Sequence, residues 1–277
     1  MAATSANDER PETARCKTGR GLLYSVAMRI AVISDIHGNL PALEAVVHDM
    51  SRRSPDIVIN LGDHLSGPLW PAETADLLMS RCGWTQIRGN HDRQLVNLSP
   101  AAMSQSDAAA FEHLSPAHKR WLSALPSTCI VADNLLLCHG TPESDLEYPL
   151  EDVSSGFPRL CGTAVIRLRM GPTSRAILCG HSHMPRFVLI DEQTVAANPG
   201  SVGLQAFRDL GHRFHHSVEA GSPHARYLVL DSTGSSWRAT FQLVEYPWNL
   251  AAQRADSGRR PDWSHALRTG YALPFVG

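Results

Sequence analysis

Lysine is almost missing from this chain: only Lys17 and Lys119 occur, and arginine supplies nearly all of the positive charge. The arginines are scattered, and 25 basic against 27 acidic residues leave a formal charge of −2. A protein that grips nucleic acid through many phosphates carries a basic excess, so no stable nucleic-acid partner is expected. No apolar run approaches the roughly 18 residues that a membrane helix needs. The first 27 residues are polar and hold no long apolar core followed by a small-residue cleavage site, which argues against a secretory signal. They read as a flexible N-terminal extension, 1–27, ahead of one domain spanning 28–277. The six cysteines form no CxxC pair, and neither a P-loop nor a dinucleotide-type glycine pattern is present. Cys138 and Cys179 end apolar runs, as buried reduced thiols do. With 43% hydrophobic and 19% charged residues, a chain of 277 has the composition of a globular protein with an ample core. A cytoplasmic location is the expectation.

From Met28 onward the pattern alternates between strand and helix. MRIAVIS is a short β-branched run suited to a strand buried on both faces. Pro41 opens an Ala/Leu-rich helix at a tolerated first-turn position. Strands are expected at 56–61, 85–88, 134–138 and 175–179, and helices at about 72–80, across 100–125, and from Pro261 to a stop at Gly270. Two strands flanking the Ser/Gly-rich segment 232–236 form an expected hairpin. Strands alternating with helices argue for an α/β fold with parallel pairing.

Five polar clusters fall where an apolar strand ends: Asp35-x-His37, Gly62-Asp63, Gly89-Asn90-His91-Asp92, His139-Gly140 and Gly180-His181-Ser182-His183. In open α/β sheets, the carboxyl ends of strands are where ligands bind. These clusters and the adjoining His64 hold six of the 14 histidines. Mixed carboxylate, imidazole and amide donors suit Mn, Fe, Zn or Ni rather than Ca or Cu(I). An aspartate between two such ions can bridge them at about 3.5–4 Å, the separation that activates a nucleophile and clamps a phosphate. The clusters therefore read as a two-metal site open to Mn, Fe, Zn or Ni.

The order of these clusters resembles that of the calcineurin-like metallophosphoesterases, over roughly Met28 to Leu243. The family's motifs D-x-H, G-D, G-N-H-[DE], H-G and G-H-x-H match DIH at 35–37, GD at 62–63, GNHD at 89–92, HG at 139–140 and GHSH at 180–183. DIHGN, Gly67-Pro68 and NPGSVG at 198–203 look most like the small bacterial branch. The resemblance implies a four-layer αββα sandwich of two mixed sheets. It implies that Asp35, His37 and His183 hold one ion, that Asn90, His139 and His181 hold the other, and that Asp63 bridges. It also implies that His91 contacts the phosphate and protonates the leaving group, with Asp92 orienting His91. The arginine-containing continuation of the protein Ser/Thr phosphatases is missing after Gly62-Asp63, where the chain reads GDHLSGPLW. That argues against a protein phosphatase.

The expected activity is hydrolysis of a small phosphomonoester or phosphodiester by a hydroxide held between the two ions. The expected substrate is a small phosphorylated molecule such as a nucleotide. Asn39, His64, Asp145 and Arg186 are candidate substrate contacts, each with an ordinary turn, loop or ion-pair role as the competing reading. Two alternatives stand beside this expectation. One is a phosphodiesterase or pyrophosphohydrolase acting on cyclic nucleotides or dinucleoside polyphosphates. The other is a catalytically silent binding protein that keeps the fold. His212, His215 and His216 read as solvated loop residues.

Overall fold

The computed structural model describes residues 28–132, 135–171, 175–192, 194–211, 213–232 and 236–274. The expected extension 1–27, Asn134 at the start of an expected strand, the tip of the 232–236 turn and His212 lie outside these residues. The strands are β1 (Met28–Ile33), β2 (Ile57–Asn60), β3 (Thr85–Gln86), β4 (Thr128–Val131), β5 (Leu135–Cys138), β6 (Glu151–Asp152) and β7 (Arg159–Leu160). They continue as β8 (Ala176–Leu178), β9 (Arg186–Leu189), β10 (Val195–Asn198), β11 (Ala206–Asp209), β12 (His216–Glu219), β13 (Ala225–Ser232) and β14 (Trp237–Val244). The helices are α1 (Leu40–Ser51), α2 (Pro71–Met79), α3 (Asn90–Asn97), α4 (Gln105–Phe111), α5 (Pro116–Ala124), α6 (Thr163–Met170), α7 (Trp248–Ser257) and α8 (Pro261–Thr269).

One sheet runs β14-β13-β1-β2-β3 and the other β4-β5-β8-β10-β9, and both are mixed. Successive side chains of a strand point to opposite faces, so the apolar run of β1 serves two cores at once. Ile30 and Val32 face inward with Leu228 and Leu230, against Leu137, Leu178 and Ala197 of the second sheet. Ala31 and Ile33 face outward, where Leu43 and Val46 of α1, Ala251 of α7 and Leu267 of α8 cover them. On the far side, Ile177 and Ala196 pack under Ile166 and Met170 of α6. The result is the four-layer helix–sheet–sheet–helix order of a mixed α/β fold.

Parallel pairing is confined to β1-β2-β3 in one sheet and β5-β8-β10 in the other. The strands preceding all five polar clusters are among these six, which is why the clusters converge. The segment 100–125 departs from continuous helix: a short 3-10 turn, Pro100–Ala102, precedes α4 and α5. The hydroxyls of Ser104 and Ser115 accept from the amides of Asp107 and His118, so each starts a new helix, and Pro116 stands in the first turn of α5. Gly270, in left-handed conformation, ends α8 as expected. Among the described residues, no helix is long and apolar enough to cross a membrane.

Candidate active site

The loops leaving the parallel strands are wound tightly. Asp35, His37, Asp63, His181 and His183 all adopt positive φ, between 53° and 66°. Non-glycine residues avoid this region, and when such strain persists it is held by its surroundings and clusters at functional sites. The holding contacts are mostly backbone. The amides of Ile36 and His37 donate to the Asp63 carbonyl at 2.9 and 3.0 Å, and the Gly180 amide donates to the His139 carbonyl at 2.8 Å. Gly89 must be glycine, because a Cβ there would overlap the Asp63 carboxylate and sit 2.7 Å from the Asp63 amide.

Two groups of ligand-type atoms result, Asp35 with His37 and His183, and Asp63 with His139 and His181. Nδ1 of His37, His139 and His183 faces the carbonyls of Ser66, Leu61 and Leu204 at 3.0, 2.8 and 2.7 Å. A carbonyl only accepts, so each Nδ1 carries a proton and each Nε2 is turned into the site, the orientation a metal-ligating histidine needs. His37 Nε2 and His183 Nε2 then face each other at 3.2 Å. Asp63 Oδ2 stands between the groups, 3.1 Å from His139 Nε2 and 4.0 Å from His37 Nε2. Asn90 Oδ1 approaches His139 Nε2 at 3.1 Å.

Both Asp35 oxygens are buried without a hydrogen-bond donor. A buried carboxylate in that state is costly unless a cation completes it. Burial works to raise its pKa, but the imidazoles of His183 and His139 outweigh burial and hold it at about 2. Burial also opposes protonation of His139, but Asp63 and Asp35 push it up to about 10. His37 and His181 go the other way: burial, reinforced by neighbouring imidazoles, brings each down to about 4. Closely spaced ring nitrogens and orphaned carboxylate oxygens fit divalent cations bound by mixed nitrogen and oxygen donors, binding that requires His139 to give up its Nε2 proton.

The pattern of the calcineurin-like phosphoesterases matches residues 28–185. The chain belongs to this family. An uncharacterized protein of Methanocaldococcus jannaschii, MJ0912, is 25% identical over 264 residues, which are 86% of this chain and 96% of the relative. In fold, the chain is similar to a metallophosphoesterase from Sphaerobacter thermophilus, with a TM-score of 0.68 and 24% identity over 88% of this chain and all of that one. It is similar to the hypothetical protein PH1004 from Pyrococcus horikoshii too, with a TM-score of 0.67 and 18% identity over 88% and 99% of the two chains. The two candidate metal groups thus sit in a fold whose family is metal-dependent.

Several expected contacts of this phosphoesterase lie elsewhere. Asp92 does not reach His91. Its buried carboxylate accepts from the amides of Gly89, Asp63 and His64 at 2.8, 2.8 and 3.0 Å and pairs with His64 Nδ1 at 2.7 Å, knotting two ligand loops together. The partner of His91 is Asp107, whose Oδ1 lies 2.8 Å from His91 Nδ1. Asp107 is fully buried in the first turn of α4, and its other oxygen accepts from Ser104 Oγ at 2.7 Å. Burial lowers the His91 pKa, but Asp63 and Asp107 outweigh it and raise it to about 9.

The four expected substrate contacts are occupied by the scaffold. Asn39 caps α1 through Ala42 and donates to the Gly203 carbonyl at 2.8 Å. His64 is buried between Asp92 and the edge of Trp121. Asp145 forms a two-pronged pair with Arg93 at 2.6 and 2.8 Å. Arg186 lies 3.3 Å from the buried Glu151 carboxylate. None of the four is among the residues lining the cavity of about 1130 Å³ onto which His37, Asp63, Asn90, His91, His181 and His183 open. His216, expected in solvated loop, is buried on β12, and its Nε2 lies 2.8 Å from the Tyr148 hydroxyl. Tyr148 in turn packs against His181 with ring centres 4.8 Å apart. Asp107 and His216 carry no motif; a serine three residues before Asp107, an N-cap signature, was the only local hint of a fixed carboxylate.

Proposed function

We propose that this protein is a dinuclear metal-dependent phosphohydrolase that cleaves a small phosphomonoester or phosphodiester, with manganese as the first candidate ion and iron, zinc or nickel as alternatives. The observation that carries the reading is the Asp35 carboxylate, buried with no donor on either oxygen and 3.3 Å from His183 Nε2. Asp35, His37 and His183 would hold one ion, Asn90, His139 and His181 the second, and Asp63 would touch both. Such ions supply Lewis acidity, lowering the pKa of water and neutralising phosphoryl charge. His91 opens on the same cavity and holds a proton at the ring nitrogen not bonded to Asp107, ready for the leaving oxygen. Asp107 fixes the orientation and tautomer of His91. Asp92 keeps the loops of Asp63 and Asn90 in register, so that their oxygens stay on the same side of the site. The His37, His139 and His183 rings are locked by backbone acceptors, which presents them with no reorganisation at the moment of reaction.

The size of the cavity also suits a second esterifying group, which favours a phosphodiester or pyrophosphate substrate as the next reading. A silent binding protein has less support, because the ligand atoms and His91 are intact. The deciding experiment strips the protein with a chelator, adds back Mn, Fe, Zn, Ni and Mg separately, and follows an aryl phosphomonoester and its diester. Activity restored by a transition metal and absent without it supports the proposal. Protein that binds two ions yet hydrolyses neither ester with any metal refutes it in favour of the binding reading.

A further inference from the structure

One part of the cavity lining, packed beside the ligands, differs from them chemically. It comes from residues 204–211 and the start of α8, all beyond the segment 28–185 that the family pattern covers. Phe207 packs on the ligand His183 with ring centres 4.7 Å apart, and Trp263 meets His37 edge-on at 5.9 Å. Leu204 lines the cavity from a buried position, while Leu210 and Leu146 line it with 55% and 50% of their surfaces exposed. Large apolar side chains left open around a concavity mark a binding surface rather than a packing accident. Two of the charged groups that share this lining, Arg260 and Asp262, are paired with each other. Arg260 is held by Asp262 at 2.9 and 2.7 Å and by Ser106 at 2.9 Å, and Arg213 lies over the Phe214 ring.

We propose that this compartment receives the leaving group of the substrate and selects phosphate esters whose leaving group carries an apolar face. The proposal rests on the phosphohydrolase reading. A phosphoryl group at the ligand wall directs the rest of the ester across a cavity far larger than phosphate itself. A small polar alcohol leaves Leu146, Phe207 and Leu210 in water, whereas an apolar face covers them. Covering roughly 100 Å² of apolar surface corresponds to a gain of about one to two orders of magnitude in kcat/KM. Two chemistries present such a face, a flat heterocycle or an aliphatic chain.

The test uses the full chain loaded with Mn and two matched pairs with nearly equal leaving-group basicity: ribose 5-phosphate against adenosine 5′-monophosphate, and methyl phosphate against hexyl phosphate. The same pairs are titrated by calorimetry, so that selectivity is read whether or not turnover occurs. A preference of about tenfold or more for the apolar member of either pair, in kcat/KM or in Kd, supports the compartment, and the pair that shows it identifies heterocycle or chain. Leu146→Asp and Leu210→Asp, both at exposed positions that folding tolerates, reduce that ratio toward one. Equal values within both pairs overturn the proposal. Selective binding without hydrolysis of any ester keeps the compartment and overturns the phosphohydrolase reading instead.

Discussion

Replacing Asp107 by asparagine tests the acid role of His91 at a residue outside the metal ligands. Asp107 is fully buried, and its Oδ1 lies 2.8 Å from His91 Nδ1. Asparagine keeps the shape and one acceptor but removes the negative charge that helps keep His91 protonated. A hydrogen bond to a charged partner contributes about 1.5–3 kcal/mol, which corresponds to about a 10- to 100-fold fall in kcat where proton donation limits the rate. A phenolate that leaves without a proton feels little of this. The assay is therefore kcat for a series of phosphate esters of rising leaving-group pKa, with metal content measured in parallel. Wild-type protein gives a shallow dependence, and Asp107→Asn a steep one, converging at the most acidic phenol. Because the Asp107 charge raises the His91 pKa, the alkaline limb of the pH profile also moves to lower pH in the variant. Parallel lines, with every ester slowed equally, or a loss of metal, would mean that Asp107 only supports the loop and would refute the acid assignment.

Three other perturbations have outcomes worked from the same contacts. Asp63→Ala removes the carboxylate between the two candidate metal groups, so metal content measured after gel filtration falls at both and activity is lost. Gly89→Ala drives a methyl group into the Asp63 carboxylate; the midpoint of thermal unfolding falls, and the stabilisation given by added Mn shrinks with it. Glu151 is held at a pKa of about 7, because burial raises it more than Arg186 and Ser182 lower it. A carboxyl raised from 4.5 makes the fold lose stability as pH climbs from about 4.5 to 7, by about 3 kcal/mol in total. Denaturant unfolding of Glu151→Gln should thus show a gain over wild type at pH 8 that vanishes near pH 4.5; a gain independent of pH would contradict this.

The sequence by itself determined the donor types and their order along the chain. Four of the five clusters follow a short apolar run, which predicts a strand buried on both faces whatever its neighbours are, and the fifth follows the mixed segment TQIR. Asp92 was visible as a residue of those clusters and Asn39 two residues after one of them, but their direction was not, because a turn side chain can face the site or the scaffold at nearly equal cost. Tertiary structure decided it. Asn39 had a helix end to cap, and Asp92 had four donors from two loops, all within hydrogen-bonding reach. Only packing brought Asp107, sixteen residues past His91, beneath that ring. Packing likewise brought β12 to Tyr148 and laid residues 204–211 over the ligands. These contacts join segments that are distant in the chain or hidden in its ordinary helices, where no local periodicity or spacing marks the partner. Side-chain chemistry along the chain set the class of the site, and the meeting of sheets, loops and helices set which residue orients the acid and what faces the substrate.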